Sequence, residues 1–136
     1  MGRIMAIDYG MKRVGLAVTD PLKIIARGLT TVENKKLLEF IVDYAKEEEI
    51  EAFVVGEPVN WDGTLSHIET NIVQFIKQLE KAFPTIAIHR QDEWSTSKMA
   101  AKTLYDSGLR KKARRNKALI DEVSATIILQ SYMERI

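Results

Sequence analysis

The chain has 136 residues, 46% apolar and 29% charged, with a formal net charge of +1 and no cysteine. This length supports a single layered core without disulfides or a structural metal, and the lack of cysteine excludes disulfide frameworks, Cys-ligated zinc and thiol chemistry. His67 and His89 are too few for a histidine-based zinc cage, and no apolar run approaches the ~20 residues that span a bilayer.

The N-terminal residues pass directly into a strand pattern with no signal-peptide core, so the expectation is a cytoplasmic protein. Arg3 to Ile7 is a short apolar run ending at Asp8-Tyr9-Gly10, and Val14 to Asp20 is a second. The short turn between them predicts an antiparallel hairpin. Asp20-Pro21 ends the second strand, and Ile24 to Val32 predicts a third. Asn34 is positioned as a helix cap. Leu37, Leu38, Ile41, Val42 and Ala45 recur at helical spacing behind it. Ala52 to Val55, bounded by Gly56 and Pro58, is a continuous apolar run of the kind that forms a parallel strand buried on both faces. A second helix is carried by Ile68, Ile72, Phe75, Ile76 and Leu79, and Pro84 stops it. Ile86 to His89 predicts strand five. Ser95 or Thr96 is placed to cap a third helix that stops at Gly108. A basic linker over 109–117 leads to a last helix with Ile120, Val123, Ile127, Ile128 and Tyr132 on its apolar face.

This order predicts one α/β domain over 1–136. Its five-stranded mixed sheet runs 3-2-1-4-5, with strand two antiparallel and helices on both faces. Strand one is then central and carries Asp8 at its C-terminal end, where ligands gather in open α/β sheets.

The small net charge conceals a sorting of signs. Residues 1–29 sum to +3, residues 30–93 to −7 and residues 94–136 to +5. Such sorting fits a polyanion that meets both ends of the chain, or an ordinary solvated mosaic. The denser signal is Arg110, Lys111, Lys112, Arg114, Arg115 and Lys117, six cations within eight residues. A block of this density is stabilised by solvent or by phosphates. Lys12 and Arg13, in the loop after Asp8, extend the same nucleic-acid-binding expectation. Trp61 and Trp94 suit either base stacking or covering the core.

Asp8, Asp92, Glu93 and Asp121 are the candidate metal-binding carboxylates, since oxygen donors at strand and helix ends suit a hard divalent cation. Glu57 ends the neighbouring strand on the same edge. Each has a structural alternative: Asp8 starting a turn, Glu57, Asp92 and Glu93 as solvated loop acids, and Asp121 favoured by the dipole of its helix. Gly10 leaves room for a phosphate or metal to approach the backbone, and Ser124 and Ala125 lie one turn from Asp121.

The segment Gly2 to Asp20 closely resembles the opening of the YqgF family, also called RuvX. Four later pieces match in order: Val54 to Pro58, Asp62-Gly63, Asp92-Glu93, and Ile120 to Tyr132. The resemblance spans nearly the whole chain and implies an RNase H-like fold. It implies Asp8, Glu93 and Asp121 as the catalytic, metal-binding acids, with Asp92 as a further ligand candidate, holding one or two Mg²⁺ or Mn²⁺ ions. The implied activity is a metal-dependent endonuclease maturing the 5′ end of pre-16S rRNA. The implied setting is an assembling ribosomal particle, with the chain a monomer or homodimer. The alternatives are a Holliday junction resolvase acting on four-way DNA, and a non-catalytic RNA-binding module. An actin-like ATPase, suggested by the Asp-x-Gly opening, needs two related domains where one is expected here. Two positions depart from the family pattern: Trp94 stands where Arg is usual, and Met11 where Thr is usual. The first removes a phosphate-binding cation; the second removes a hydroxyl beside Asp8.

Overall fold

The structure, a computed structural model, describes residues 2–58, 65–92 and 117–136. The expected third helix, both tryptophans, Glu93 and the basic segment up to residue 116 lie outside them. Strands β1 (Arg3–Asp8), β2 (Arg13–Thr19) and β3 (Ala26–Glu33) open the chain. A 3₁₀ turn (Asn34–Lys36) leads into helix α1 (Leu37–Glu47). Strand β4 (Ile50–Glu57), helix α2 (Glu69–Ala82) and strand β5 (Ala87–Asp92) follow, and helix α3 (Lys117–Arg135) closes the chain.

The sheet order is β3-β2-β1-β4-β5, as the sequence predicts. β2 runs antiparallel to both β1 and β3, while β1, β4 and β5 are parallel. The two sheet faces differ in bulk. Met5, Ile7, Leu16, Phe53 and Val55 pack against Leu37 and Ile41 of α1 and Ile72, Phe75 and Leu79 of α2. On the other face Ile4, Ala6, Ala17, Ala52 and Val54 pack against Ala125, Ile128, Leu129 and Tyr132 of α3. Fully burying one large apolar side chain contributes about 1.5–3 kcal/mol, so the α1/α2 side carries more of the hydrophobic stabilisation. The small residues on the other side let α3 lie close to the strands. Among the described residues no helix is long and apolar enough to cross a membrane.

Four local expectations need correction. β3 begins at Ala26 rather than Ile24, because Asp20 draws Ile24 and Ile25 into a turn. Its carboxylate accepts from their backbone N–H groups at 2.8 and 2.7 Å, and Lys23 adopts a left-handed φ of 58°. Asn34 does not cap α1. Its side-chain amide donates to the Gly10 carbonyl at 2.7 Å, and its backbone N–H donates to the Lys12 carbonyl. It therefore ties the loop after Asp8 to the start of the helical layer. β5 continues past its apolar residues to Asp92 because Arg90, Gln91 and Asp92 pair in register with Val55, Gly56 and Glu57. The buried face of α3 is Ser124, Ala125, Ile128, Leu129 and Tyr132, whereas Ile120, Val123 and Ile127 are half-buried.

Candidate active site

Asp8 is the last residue of β1 and pairs with Gly15 of β2. Strand alternation puts it on the same side as Ile4 and Ala6, facing the α3 layer. Asp121 lies one turn into α3 on that same side. What lets α3 approach the sheet there is the absence of side chains on its neighbours: a Cβ on Gly15 of β2 would overlap the Asp121 carbonyl oxygen, and one on Gly28 of β3 would overlap the Glu122 side chain. Thr31 of β3 fixes the start of the helix by donating to the Ala118 carbonyl at 2.6 Å. The Asp121 carboxylate is held from β2, where Arg13 Nε donates to Oδ2 at 3.0 Å.

The loop after Asp8 is tightly built. Gly10 is needed there because a Cβ would strike the Arg13 carbonyl; the group that approaches its backbone is therefore this chain's own. Tyr9 turns to the opposite side and packs on Phe75, with ring centroids 5.4 Å apart.

At the other end of this edge, β5 alternates between the two layers. His89 stacks on Tyr132 of α3 at 5.5 Å, while Arg90 reaches α2, forming two hydrogen bonds with Glu69 at 2.9 and 2.7 Å. The same guanidinium donates to the Val55 and Gly56 carbonyls, so it clamps the end of β4 to the start of α2. Gln91 therefore shares the α3 side with Asp8. Asp92 pairs with Glu57 and shares the α1/α2 side with Arg90. Glu93, the next odd position in the sequence, lies outside the described residues.

Among the described residues no group of three or more His, Cys, Asp or Glu side chains is gathered to hold a metal. What the structure brings to one side of the sheet edge is two carboxylates, Asp8 and Asp121. On that side Ser124 Oγ and Gln91 Oε1 are buried without a hydrogen-bond partner. Buried polar oxygens are ordinarily satisfied, and carboxylate oxygens are the donors a hard divalent cation takes. Asp8 and Asp121 thus have the donor chemistry such an ion takes, while Glu93, the third predicted carboxylate, lies outside the described residues.

Of the predicted nucleic-acid-binding residues, Lys12 is exposed and Arg13 is engaged with Asp121. Lys117 begins α3; Arg110, Lys111, Lys112, Arg114 and Arg115 are outside the described residues. Sequence reasoning placed Ser124 one turn from Asp121 but missed Arg90 and Gln91. Only the strand alternation in β5 could have indicated those two.

Residues 2–135 match the model of the family described as RuvX, Holliday junction resolvase. A relative from Christiangramia forsetii is 53% identical over 133 residues, covering 98% of each chain, and is called "Putative pre-16S rRNA nuclease". One of the same name from Porphyromonas gingivalis is 54% identical over 134 residues, covering 98% of this chain and 97% of its own. Among solved structures, RuvC from T. thermophilus in complex with a Holliday junction substrate superposes with a TM-score of 0.60 at 16% identity, covering 99% of this chain and 96% of that one. Fowlpox virus resolvase, solved with Holliday junction DNA, gives 0.56 at 14% identity, covering 98% and 97%. At these identities the structural likeness establishes the RNase H-like fold alone.

Proposed function

The chain belongs to the RuvX family, and from that membership we propose that it is a metal-dependent endonuclease, acting in maturation of the 5′ end of pre-16S rRNA. The observation that carries the nuclease reading is that Asp8, at the end of β1, and Asp121, in the first turns of α3, lie on the same side of the sheet. The RNA substrate is supported by the names of relatives that are about half identical over nearly their full lengths.

Asp8, Asp121 and Glu93 would hold Mg²⁺ or Mn²⁺, one ion or two, with Asp92 a weaker candidate because its side chain belongs to the other side of β5. A bound divalent ion supplies Lewis-acid polarisation of a phosphodiester and a water of lowered pKa. The chain's own residues do the rest. β1 and α3 hold their carboxylates on rigid elements, which such chemistry requires. Gly15 of β2, paired with Asp8, sets how closely α3 approaches the sheet, and Arg13 fixes the Asp121 carboxylate. Lys12, Lys117 and the cations over 110–115 provide contacts to the sugar-phosphate backbone. The proposed setting is the cytoplasm, on precursor RNA alone or within an assembling ribosomal particle.

A second reading, resolution of four-way DNA junctions, is favoured by the family's description and by the titles of the two similar structures. Symmetric junction cutting needs two active sites and hence a homodimer. The deciding experiment presents a 5′-extended 16S precursor fragment and a four-way junction to wild type and Asp8→Asn, with Mg²⁺ or Mn²⁺. RNA cleavage that the variant loses supports the first reading, and selective junction cleavage supports the second. Salt-sensitive binding without cutting by wild type overturns both in favour of a non-catalytic RNA-binding module.

A further inference from the structure

Arg13 was expected to face nucleic acid, yet its guanidinium lies on Asp121, 108 residues away in sequence, at 3.0 Å. Both side chains reach solvent, with 37% of Arg13 and 26% of Asp121 exposed. The pair is partly open rather than locked in the core. Arginine offers only donors. On Oδ2 it therefore occupies acceptor capacity that a cation at this carboxylate would use, and it places a positive charge beside that cation. The same planar fork is also well matched to phosphate oxygens. One side chain is thus placed between two alternative partners of opposite consequence.

We propose that Arg13 is a displaceable counter-ion of Asp121. Without nucleic acid it competes with a divalent cation for that carboxylate. A backbone phosphate draws it away, so metal and nucleic acid bind cooperatively. Arg13 is a positioning residue in this scheme, acting through Asp121. The coupling is reciprocal by linkage: whatever factor nucleic acid adds to metal affinity, metal adds to nucleic-acid affinity. The inference rests on the metal-dependent reading above.

The test measures Mn²⁺ binding to the full chain by calorimetry, without nucleic acid, in wild type, Arg13→Gln, Arg13→Lys and Lys12→Gln. Thermal unfolding is followed in parallel to confirm that each variant folds. Removing one unit charge near the ion raises its affinity about tenfold in Arg13→Gln, while Arg13→Lys and Lys12→Gln stay near wild type. Fluorescence anisotropy of a labelled 2′-O-methyl oligoribonucleotide then reports the coupling. Mn²⁺ tightens its binding to wild type and leaves Arg13→Gln unchanged. Unchanged or weaker Mn²⁺ binding by Arg13→Gln overturns the proposal, as does an equal gain in Lys12→Gln, which would mark a general charge effect. Failure of both wild type and Arg13→Gln to bind Mn²⁺, with and without the oligonucleotide, defeats the metal-dependent reading itself, a result distinct from either.

Discussion

Gly15 of β2 and Asp121 of α3 meet backbone to backbone, and there is no room between them for a single methyl group. Gly15→Ala must push α3 off the sheet where the candidate carboxylate sits. Overpacking of this kind costs about 1–3 kcal/mol. The expected outcome is a lowered urea midpoint with cleavage lost more completely than stability. An unaltered midpoint would mean that the helix moves aside freely and that Gly15 does not set the spacing.

Arg90 and Glu69 form a charge-assisted pair in which only 25% and 13% of the side chains are exposed. Arg90→Ala leaves the Glu69 carboxylate and the Val55 and Gly56 carbonyls without these donors. A loss of about 1–3 kcal/mol in unfolding free energy is expected. A double-mutant cycle with Glu69→Gln checks it: additive losses would show that the two residues do not act as a pair.

Asp20 gives a pH signature. The Ile25 backbone N–H, acting against a smaller desolvation effect, and then those of Ile24 and Leu22 hold its carboxyl below the ordinary 3.8. A depressed folded value stabilises the β2–β3 turn above pH 3.8, and the contribution disappears as pH falls through that lower value. NMR titration of the Ile24 and Ile25 amide protons should show a midpoint below 3.8, and Asp20→Asn should abolish the transition. A midpoint above 3.8 contradicts the hydrogen-bonding described.

Lys12 is exposed in the loop anchored by Asn34, beside the candidate site. As a phosphate contact, its removal in Lys12→Ala lowers the steepness of the log-affinity against log-salt plot by about one and weakens all sequences alike. Loss confined to one sequence would instead point to base recognition.

The sheet was readable because its signals are local and strong. The apolar runs of β1, β2 and β4 have no polar interruption, and Asp8 follows directly on one of them. The errors arose where a side chain serves a distant partner. Asn34 has the chemistry of a cap, but the Gly10 carbonyl takes its amide. Ile24 and Ile25 have strand propensity, but Asp20 gathers their N–H groups. α3 carries apolar residues around more than one face, so periodicity alone could not select the Ser124–Ala125–Ile128 stripe; the glycines and alanines opposite it decide that. The contact of Arg13 with Asp121 was likewise invisible in the sequence because its partner lies 108 residues away. Asp92 and Glu93 are adjacent in sequence, and only the pairing of β5 with β4 assigns Asp92 to a side of the sheet.

The candidate site joins the beginning of the chain to its end. Asp8 and Arg13 belong to the β1–β2 hairpin and Asp121 to α3, packed into place by contacts of very long sequence separation. Such contacts bear the largest loop-closure cost and favour late formation. A partly made chain can complete its hairpin and its α1/α2 layer while still lacking half of the pair. On the proposed reading, competence to cut is thereby tied to the docking of α3, the step that brings Asp121 to the side of the sheet where Asp8 lies.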